Sequence, residues 1–499
     1  MNGFLFYAAF QSSRILQLRS VHDYTISSDA SELNVTVSHP IGGRVDPISI
    51  LSKMTMFLDD LDLRDQNNNM NGAAFHFTDP GWRQPTVLMR RSTVVSCVTT
   101  QLGGGGYMNG GYLFNAEGSS FQNVSSLKGG ALYIQRVPIV ELTQTNFKEG
   151  NSTSGGALYI DLFGNSTIFD CIFESCQSTT NGGAIAFYRT VLSGCHIRNS
   201  MFVNCSSVSG GAIYVNINNY GDFIFNRVCA YNCMVKSSTS RGQFLFVEGN
   251  NNDNTITLKH ISATKCSQNY LGIGVIYFSS AYQDMDSMNF SENTNYQGGA
   301  VYNYIPYGYS LKYSTLVKNS ASNDYLLYTH GPTTTSGTFL NIIIANNTVP
   351  TTKSIIYIQN YNNKLNIVQY SIFLSNSGIL LSVNGAHYIL VIKNSYIQHS
   401  GTLTTNYQPS FELVLTKSSL TETFILTHYS TFYCLTPEGL SQQGEEPCQT
   451  LPPVPTKCQT QANPPTSCYI EPSSESSLIS VTTLFRIIQV SLALSSYLF

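Results

Sequence analysis

Side chains able to do acid–base, metal or nucleophilic chemistry are spread thinly along this chain. The densest acidic group, Asp59, Asp60, Asp62 and Asp65, has no histidine near it in sequence and reads as a solvated turn. Asp161, Asp170, Asp253, Asp284 and Asp286 fall at different points of the repeat described below, so stacking the repeat does not gather them. Hydrolysis of a glycosidic bond needs two facing carboxyl groups, and elimination needs a cation with a base to take the α-proton. The nine histidines form neither a GHG nor an HxxxH pattern. Catalytic residues are accordingly expected to be absent. The loop Asn251, Asn252, Asp253, Asn254 carries one carboxylate, fewer than a calcium loop supplies. The 12 cysteines lack the CxxC pairs of structural zinc sites. No metal or other cofactor is expected.

Composition points the same way. Charged residues make up 11% of the 499 positions, with a net charge of −3, where soluble domains carry about 25%. That shortage argues against an ordinary cytosolic enzyme, and the balance gives no electrostatic footprint for nucleic acid. With 38 Gly, 31 Tyr and 27 Phe, the chain is turn-rich, aromatic and β-prone.

What must position these residues is an internal repeat. GGYLFN at Gly110, GGALYI at Gly129 and Gly155, GGAIAFY at Gly182, GGAIYV at Gly210 and GGAVYNY at Gly298 are clear copies. Degenerate copies begin at Arg241, Gly272, Asn323, Lys353 and Ser377, giving a repeat of about 28 residues. The residue before the aromatic is aliphatic in every copy, from Leu113, Leu132 and Leu158 to Ile356 and Leu380. That column must face a core, and with a period of two its neighbours face out. The outward column is Phe114, Tyr133, Tyr159, Tyr214, Phe246, Tyr277, Tyr302, Tyr328 and Tyr357, broken at Ala186 and ending in Leu381. A stripe of rings at ~4.8 Å intervals is either ladder packing or a flat amphipathic face able to meet a sugar or a protein. Tyr133, Tyr159, Tyr214, Tyr277, Tyr302, Tyr328 and Tyr357 are therefore the candidate binding residues.

A second column precedes each glycine pair. Phe147, Phe173, Phe202, Phe290 and Phe373 are followed three residues later by Gly150, Cys176, Cys205, Asn293 and Asn376, with weaker copies ending at Cys233, Cys266, Asn319 and Asn346. Stacked Asn side chains there can hydrogen-bond along the ladder. The cysteines of this column are either free buried thiols or disulfides between neighbouring coils, whose spacing suits either. The glycine pair supplies positive φ for a sharp turn into the next strand. One strand per repeat with a constant inside makes each repeat one turn of a coil, an all-β parallel β-helix solenoid of about eleven coils.

The pairing of GGA[IL] with FxxN or FxxC resembles the polymorphic outer membrane protein repeat of bacterial surface autotransporters and of surface-protein families in some parasitic protists. The resemblance covers about Gly103 to Val383. It implies a right-handed, pectin lyase-like β-helix, a surface location, and adhesion or host contact without catalysis. Bacterial members end in an outer-membrane β-barrel, whereas here a different tail follows the repeats.

The expected organisation is a weak signal-like or incomplete N-terminus over 1–19, the β-helix over 20–435, a Pro-rich Cys-containing stalk over 436–477, and an apolar segment over 478–499. That last segment is long enough for a bilayer core of ~30 Å despite Arg486. It reads as a membrane anchor, with a cleaved lipid-anchor signal or an amphipathic helix as alternatives. Cys434, Cys448, Cys458 and Cys468 are candidates for small disulfide loops in an oxidising space. Seven Asn-X-Ser/Thr sequons, at Asn34, Asn123, Asn151, Asn165, Asn204, Asn289 and Asn346, fit a secreted glycoprotein. The expectation is a membrane-anchored or secreted cell-surface protein, an adhesin or display scaffold whose partner is a host-cell or matrix protein or glycan. A polysaccharide lyase or hydrolase is the alternative, because pectin-degrading enzymes use the same coil.

Overall fold

The computed structural model describes residues 55–78, 86–161, 164–188, 194–217, 221–249, 254–267, 269–330, 337–359, 366–384, 390–399 and 401–403. It also gives the backbone of strands Arg14–Leu18, Thr25–Ser28, Glu32–Val37, Ile41–Gly42, Ile48–Ser52 and Phe411–Val414. Within these residues the chain is all-β, a parallel solenoid of about eleven coils with no helix. The stalk, its four cysteines and the apolar segment lie outside the described residues.

One coil shows how the sequence makes the shape. Leu158–Asp161 belongs to a 14-stranded parallel sheet that collects the strand after every glycine pair. Asn165–Phe169 and Ile172–Glu174 follow, and both belong to a 28-stranded parallel sheet that bends along its whole length. We call the three faces the tyrosine face, the long face and the phenylalanine face. Register is fixed by inward side chains: Leu132, Leu158, Ile185, Ile213, Leu245, Ile276 and Val301 stand opposite one another on successive coils. All of them are buried in one continuous apolar cluster.

The corners at the two ends of the phenylalanine face need no loop. A single left-handed residue turns each one: Asp170 and Ser175 both have φ of 53°. Their backbone N–H groups still donate to the next coil, Asp170 to Arg198 O at 3.2 Å and Ser175 to Val203 O at 2.8 Å, so the ladder runs unbroken around the bend. At the third corner Gly155 has φ of 65°, and a Cβ there would lie 2.1 Å from Leu158 O. A Cβ on Gly156 would lie 2.0 Å from Gly183 O. Only glycine fits a backbone approach that close.

Two polar columns line the inside of the corners. In one, Ser92, Ser119, Thr145, Cys171 and Ser200 satisfy backbone groups at the bend, as when Ser200 Oγ accepts the Cys171 N–H at 3.2 Å. In the other, Cys176, Cys205, Cys233 and Cys266 are followed by Asn293, Asn319, Asn347 and Asn376. Asn347, not Asn346, holds its place in the inner column; Asn346 is the exposed corner residue before it, with φ of 56°.

Core volume is shared between faces within each coil. Phe121, Phe147, Phe173 and Phe202 stack at centroid distances of 4.8 to 5.2 Å, opposite the small Ala131, Ala157, Ala184 and Ala212. The next coil carries Ala230 in the phenylalanine column and Phe244 in the alanine column, both buried. Large and small exchange places, and the interior stays filled.

Candidate binding face

The tyrosine stripe lies on the outer side of its sheet, with the register Tyr107, Tyr133, Tyr159, Ala186, Tyr214, Phe246, Tyr277, Tyr302, Tyr328, Tyr357. Two positions differ from the expected column. Tyr107, not Phe114, precedes Tyr133, and Phe114 is buried inside on the long face, opposite Val140. Ser382, not Leu381, pairs with Tyr357, so Leu381 points inward beside Ile356.

The rings are packed on one another. Tyr133 and Tyr159 lie 5.0 Å apart with planes 5° from parallel, and Tyr302 and Tyr328 lie 4.2 Å apart. Across the break at Ala186 the stack continues, because Tyr188 swings in from two residues later to meet Tyr159 at 5.0 Å and Tyr214 at 5.3 Å. Ala186 leaves the room that Tyr188 fills. Stacking takes up the ring faces of Tyr133 and Tyr159, and Tyr133, Tyr159, Tyr214 and Tyr277 keep only 4 to 6% of their surface. Tyr302, Tyr328 and Tyr357 are half-buried.

Cations flank the stack. Lys128 Nζ sits 4.9 Å from the Tyr159 ring centre, and the Arg241 guanidinium 5.1 Å from that of Tyr277. Tyr214 donates its hydroxyl to Glu248 at 2.6 Å, and Asn216 Nδ2 donates to the same carboxylate at 3.3 Å. Burial first, and then the bond to Glu248, holds the Tyr214 phenol well above its ordinary range.

Towards the C-terminal end the glycine pair is lost, and Asp324 and Tyr325 stand in its place. Tyr325 stacks on Tyr357 at 4.1 Å and lies 5.7 Å from Tyr328. Lys353 Nζ is 5.1 Å from the Tyr325 ring and 3.9 Å from the Asp324 carboxylate. Burial pushes the Asp324 carboxyl up to about 6, against the opposing pull of Lys353. Sequence reasoning missed this cluster because it sought copies of the repeat, while the signal was two residues that depart from it.

Among the described residues the remaining carboxylates do not converge. Asp60 and Asp65 are corner residues with φ of 53°. Asp60 receives both the Nε and Nη2 protons of Arg91, at 2.7 and 2.9 Å. Asp284 is held by Ser310 and by Lys312 at 3.1 Å. Among the described residues no three His, Cys, Asp or Glu side chains are placed to hold a metal ion. The inner cysteines Cys176, Cys205, Cys233 and Cys266 are free thiols. They donate to backbone carbonyls, Cys233 Sγ to Phe202 O at 3.3 Å. Burial pushes the thiols of Cys97 and Cys171 up to about 12. Such thiols stay protonated and are poor nucleophiles and poor ligands.

Of the sequon asparagines, Asn123, Asn151, Asn165 and Asn346 are exposed and Asn204 is half-buried. Asn289 is buried, its amide nitrogen donating to Ser262 Oγ at 3.4 Å. The side chain of Asn34 lies outside the described residues. Comparison with family models, with curated proteins and with solved structures found no match.

Proposed function

We propose that the chain is a cell-surface adhesin or display scaffold, a β-helix that holds an aromatic face towards a host-cell or matrix protein or glycan and does no catalysis. The observation that carries this reading is the continuous column of ring contacts from Tyr107 to Tyr357, stacked at both ends and edge-on around Phe246, and edged by Lys128, Arg241 and Lys353. A ladder of this kind presents ring edges and hydroxyls at fixed intervals, and its half-buried end at Tyr302, Tyr325, Tyr328 and Tyr357 presents the most surface. Aromatic side chains with one apolar and one polar edge suit such contacts. The resemblance to the polymorphic outer membrane protein repeat, with its right-handed pectin lyase-like coil, supports the surface reading. So do the four exposed sequons and the apolar segment 478–499 as a membrane anchor. The test is attachment of the full chain to a panel of immobilised matrix proteins and glycans, together with its distribution between membrane and soluble fractions when 478–499 is removed.

A carbohydrate-active enzyme is the second reading, and Asp324 favours it. A carboxyl near pKa 6 beside a lysine and three tyrosines is suited to proton transfer. Cleavage of an acidic polysaccharide that is lost in Asp324→Asn, with folding intact, would replace the first reading with this one.

A further inference from the structure

The ring column on the tyrosine face is not evenly spaced. From Tyr107 to Tyr302, and again between Tyr328 and Tyr357, neighbouring rings lie 5.0 to 5.4 Å apart. Tyr302 and Tyr328 close to 4.2 Å with planes 18° from parallel, and Tyr325 and Tyr357 to 4.1 Å with planes 17° from parallel. At those separations ring carbons of the two residues are in van der Waals contact, since carbon atoms meet at about 3.5 to 4.0 Å. Each pair joins adjacent coils. Tyr302 stands opposite Tyr328 in the strand register, and Tyr328 opposite Tyr357. Tyr325 meets Tyr357 from the place that Gly299 holds on the coil before, where the Gly299 N–H donates to Tyr325 O at 3.0 Å.

Three further observations set these four rings apart. They are half-buried, so an oxidant in solution meets their edges, whereas Tyr133, Tyr159, Tyr214 and Tyr277 are buried. Phe246 lies between Tyr214 and Tyr277 and has no phenol, so a phenoxyl radical formed at this end is not relayed from phenol to phenol into the closed part of the column. Beyond Cys266 the described coils carry no cysteine, so no thiol there is oxidised in their stead. Tyr112, Tyr270, Tyr282 and Tyr370 are more exposed but have no stacked ring among the described residues.

We propose that Tyr302 with Tyr328, and Tyr325 with Tyr357, are sites of oxidative cross-linking, each pair joined ring to ring as dityrosine by a one-electron oxidant such as a haem peroxidase supplied with hydrogen peroxide. Each phenol gives up one electron and one proton. The two phenoxyl radicals join through ring carbons ortho to their oxygens, and the hydrogens on those carbons leave as protons that restore the two hydroxyls. One C–C bond replaces two C–H bonds. Two protons and two electrons are lost in all, and one hydrogen peroxide takes them up and becomes two water molecules. Joining the ring edges needs a turn of each ring about its Cβ–Cγ bond, and strands ~4.8 Å apart keep the turned rings within reach of one another. The product ties adjacent coils covalently.

The experiment is oxidation of the full chain, as dilute monomer, with a haem peroxidase and hydrogen peroxide. Monomer is recovered by gel filtration and digested with trypsin, and linked peptides are fragmented in the mass spectrometer. The expected result is a fluorescent monomer, lighter by two hydrogen atoms for each cross-link, with peptides joined between Tyr302 and Tyr328 and between Tyr325 and Tyr357. Tyr328→Phe keeps the ring and removes the phenol, so it should lose the first link and retain the second. Tyr357→Phe should do the reverse, and the circular dichroism spectra of both variants should match that of the parent. Absence of either pair from the oxidised monomer, dityrosine confined to Tyr112, Tyr270, Tyr282 or Tyr370, or cross-links found only between chains would overturn the proposal.

Discussion

The backbone N–H of Cys266 donates to Oδ1 of Asn293 on the following coil at 2.8 Å, and this bond joins a column of thiols to a column of amides. On the thiol side, Cys266 Sγ reaches Ala230 O at 3.9 Å. On the amide side, Asn293 Nδ2 reaches the equivalent carbonyl, Ala263 O, at 2.9 Å. Both side chains satisfy the same corner, and the amide also bonds the next amide in line.

Asn319 should therefore matter more than Cys233. Asn319 Nδ2 donates to Phe290 O at 2.9 Å, and its Oδ1 accepts the Asn293 N–H at 3.1 Å. Asn319→Ala strands both groups in the core, and at about 1 to 3 kcal/mol for each the loss should be about 3 kcal/mol. Cys233→Ala removes one weak thiol bond and should cost about 1 kcal/mol. Urea unfolding of the two variants decides; equal losses would mean that the amide ladder adds nothing.

Ile213→Asp places a charge in the core between Ile185 and Leu245 and should unfold neighbouring coils, because burying an unpaired charge costs several kcal/mol. The outward control is Asn216→Ser. Asn216→Asp would not serve, since Asn216 Nδ2 lies on Glu248 at 3.3 Å and a second carboxylate there adds repulsion. Circular dichroism melting should show a large loss for the first variant and little change for the control.

The exchange of Ala230 and Phe244 predicts a non-additive pair. Phe244→Ala should cost about 3 to 5 kcal/mol and Ala230→Phe about 1 to 3 kcal/mol from overpacking. The double variant restores the arrangement of the earlier coils and should recover part of the loss. Strict additivity in denaturant unfolding would show that the two positions do not share space.

Asp324 sets a pH dependence. Its carboxyl is raised from an ordinary 3.8 to about 6, so the folded state prefers the protonated form. The associated stability is fully present below pH ~4, falls as pH rises towards 6, and is absent above, by at most about 3 kcal/mol. Asp324→Asn should match the parent at pH 4 and exceed it at pH 7 in thermal midpoint. A lower midpoint for the variant at pH 7 would reverse the sign assigned here.

Much of the coil was legible because its grammar is local. The glycine pairs at Gly129, Gly155, Gly182 and Gly210 all place positive φ where the turn needs it. The register failed where side chains gave no anchor. Before Tyr107 the inward position is Gly106, against which the Phe75 ring packs, so the four-glycine run hides its own strand and the pair at Gly110 resembles the copy in its place. At the other end Ile379, Leu380 and Leu381 are all buried, and three aliphatic residues in a row do not say which one faces in. Asn346 and Asn347 posed the same ambiguity. The corner column of Ser92, Ser119, Thr145 and Ser200 went unseen because serine and threonine are common in every loop of this chain. The burial that closes the tyrosine faces was not readable, since it depends on rings meeting across coils.

The most direct test of the central claim is attachment of the full chain to immobilised matrix proteins and glycans, read beside the thermal midpoint, for two double variants. Tyr302→Ser with Tyr328→Ser should weaken attachment about tenfold, the effect of about 1.4 kcal/mol, with the midpoint within a few degrees of the parent. Tyr133→Ser with Tyr159→Ser, in the closed part of the stack, should lower the midpoint and change attachment only as folding changes. No attachment by the parent, or attachment untouched when Tyr302 and Tyr328 are replaced, would contradict the account.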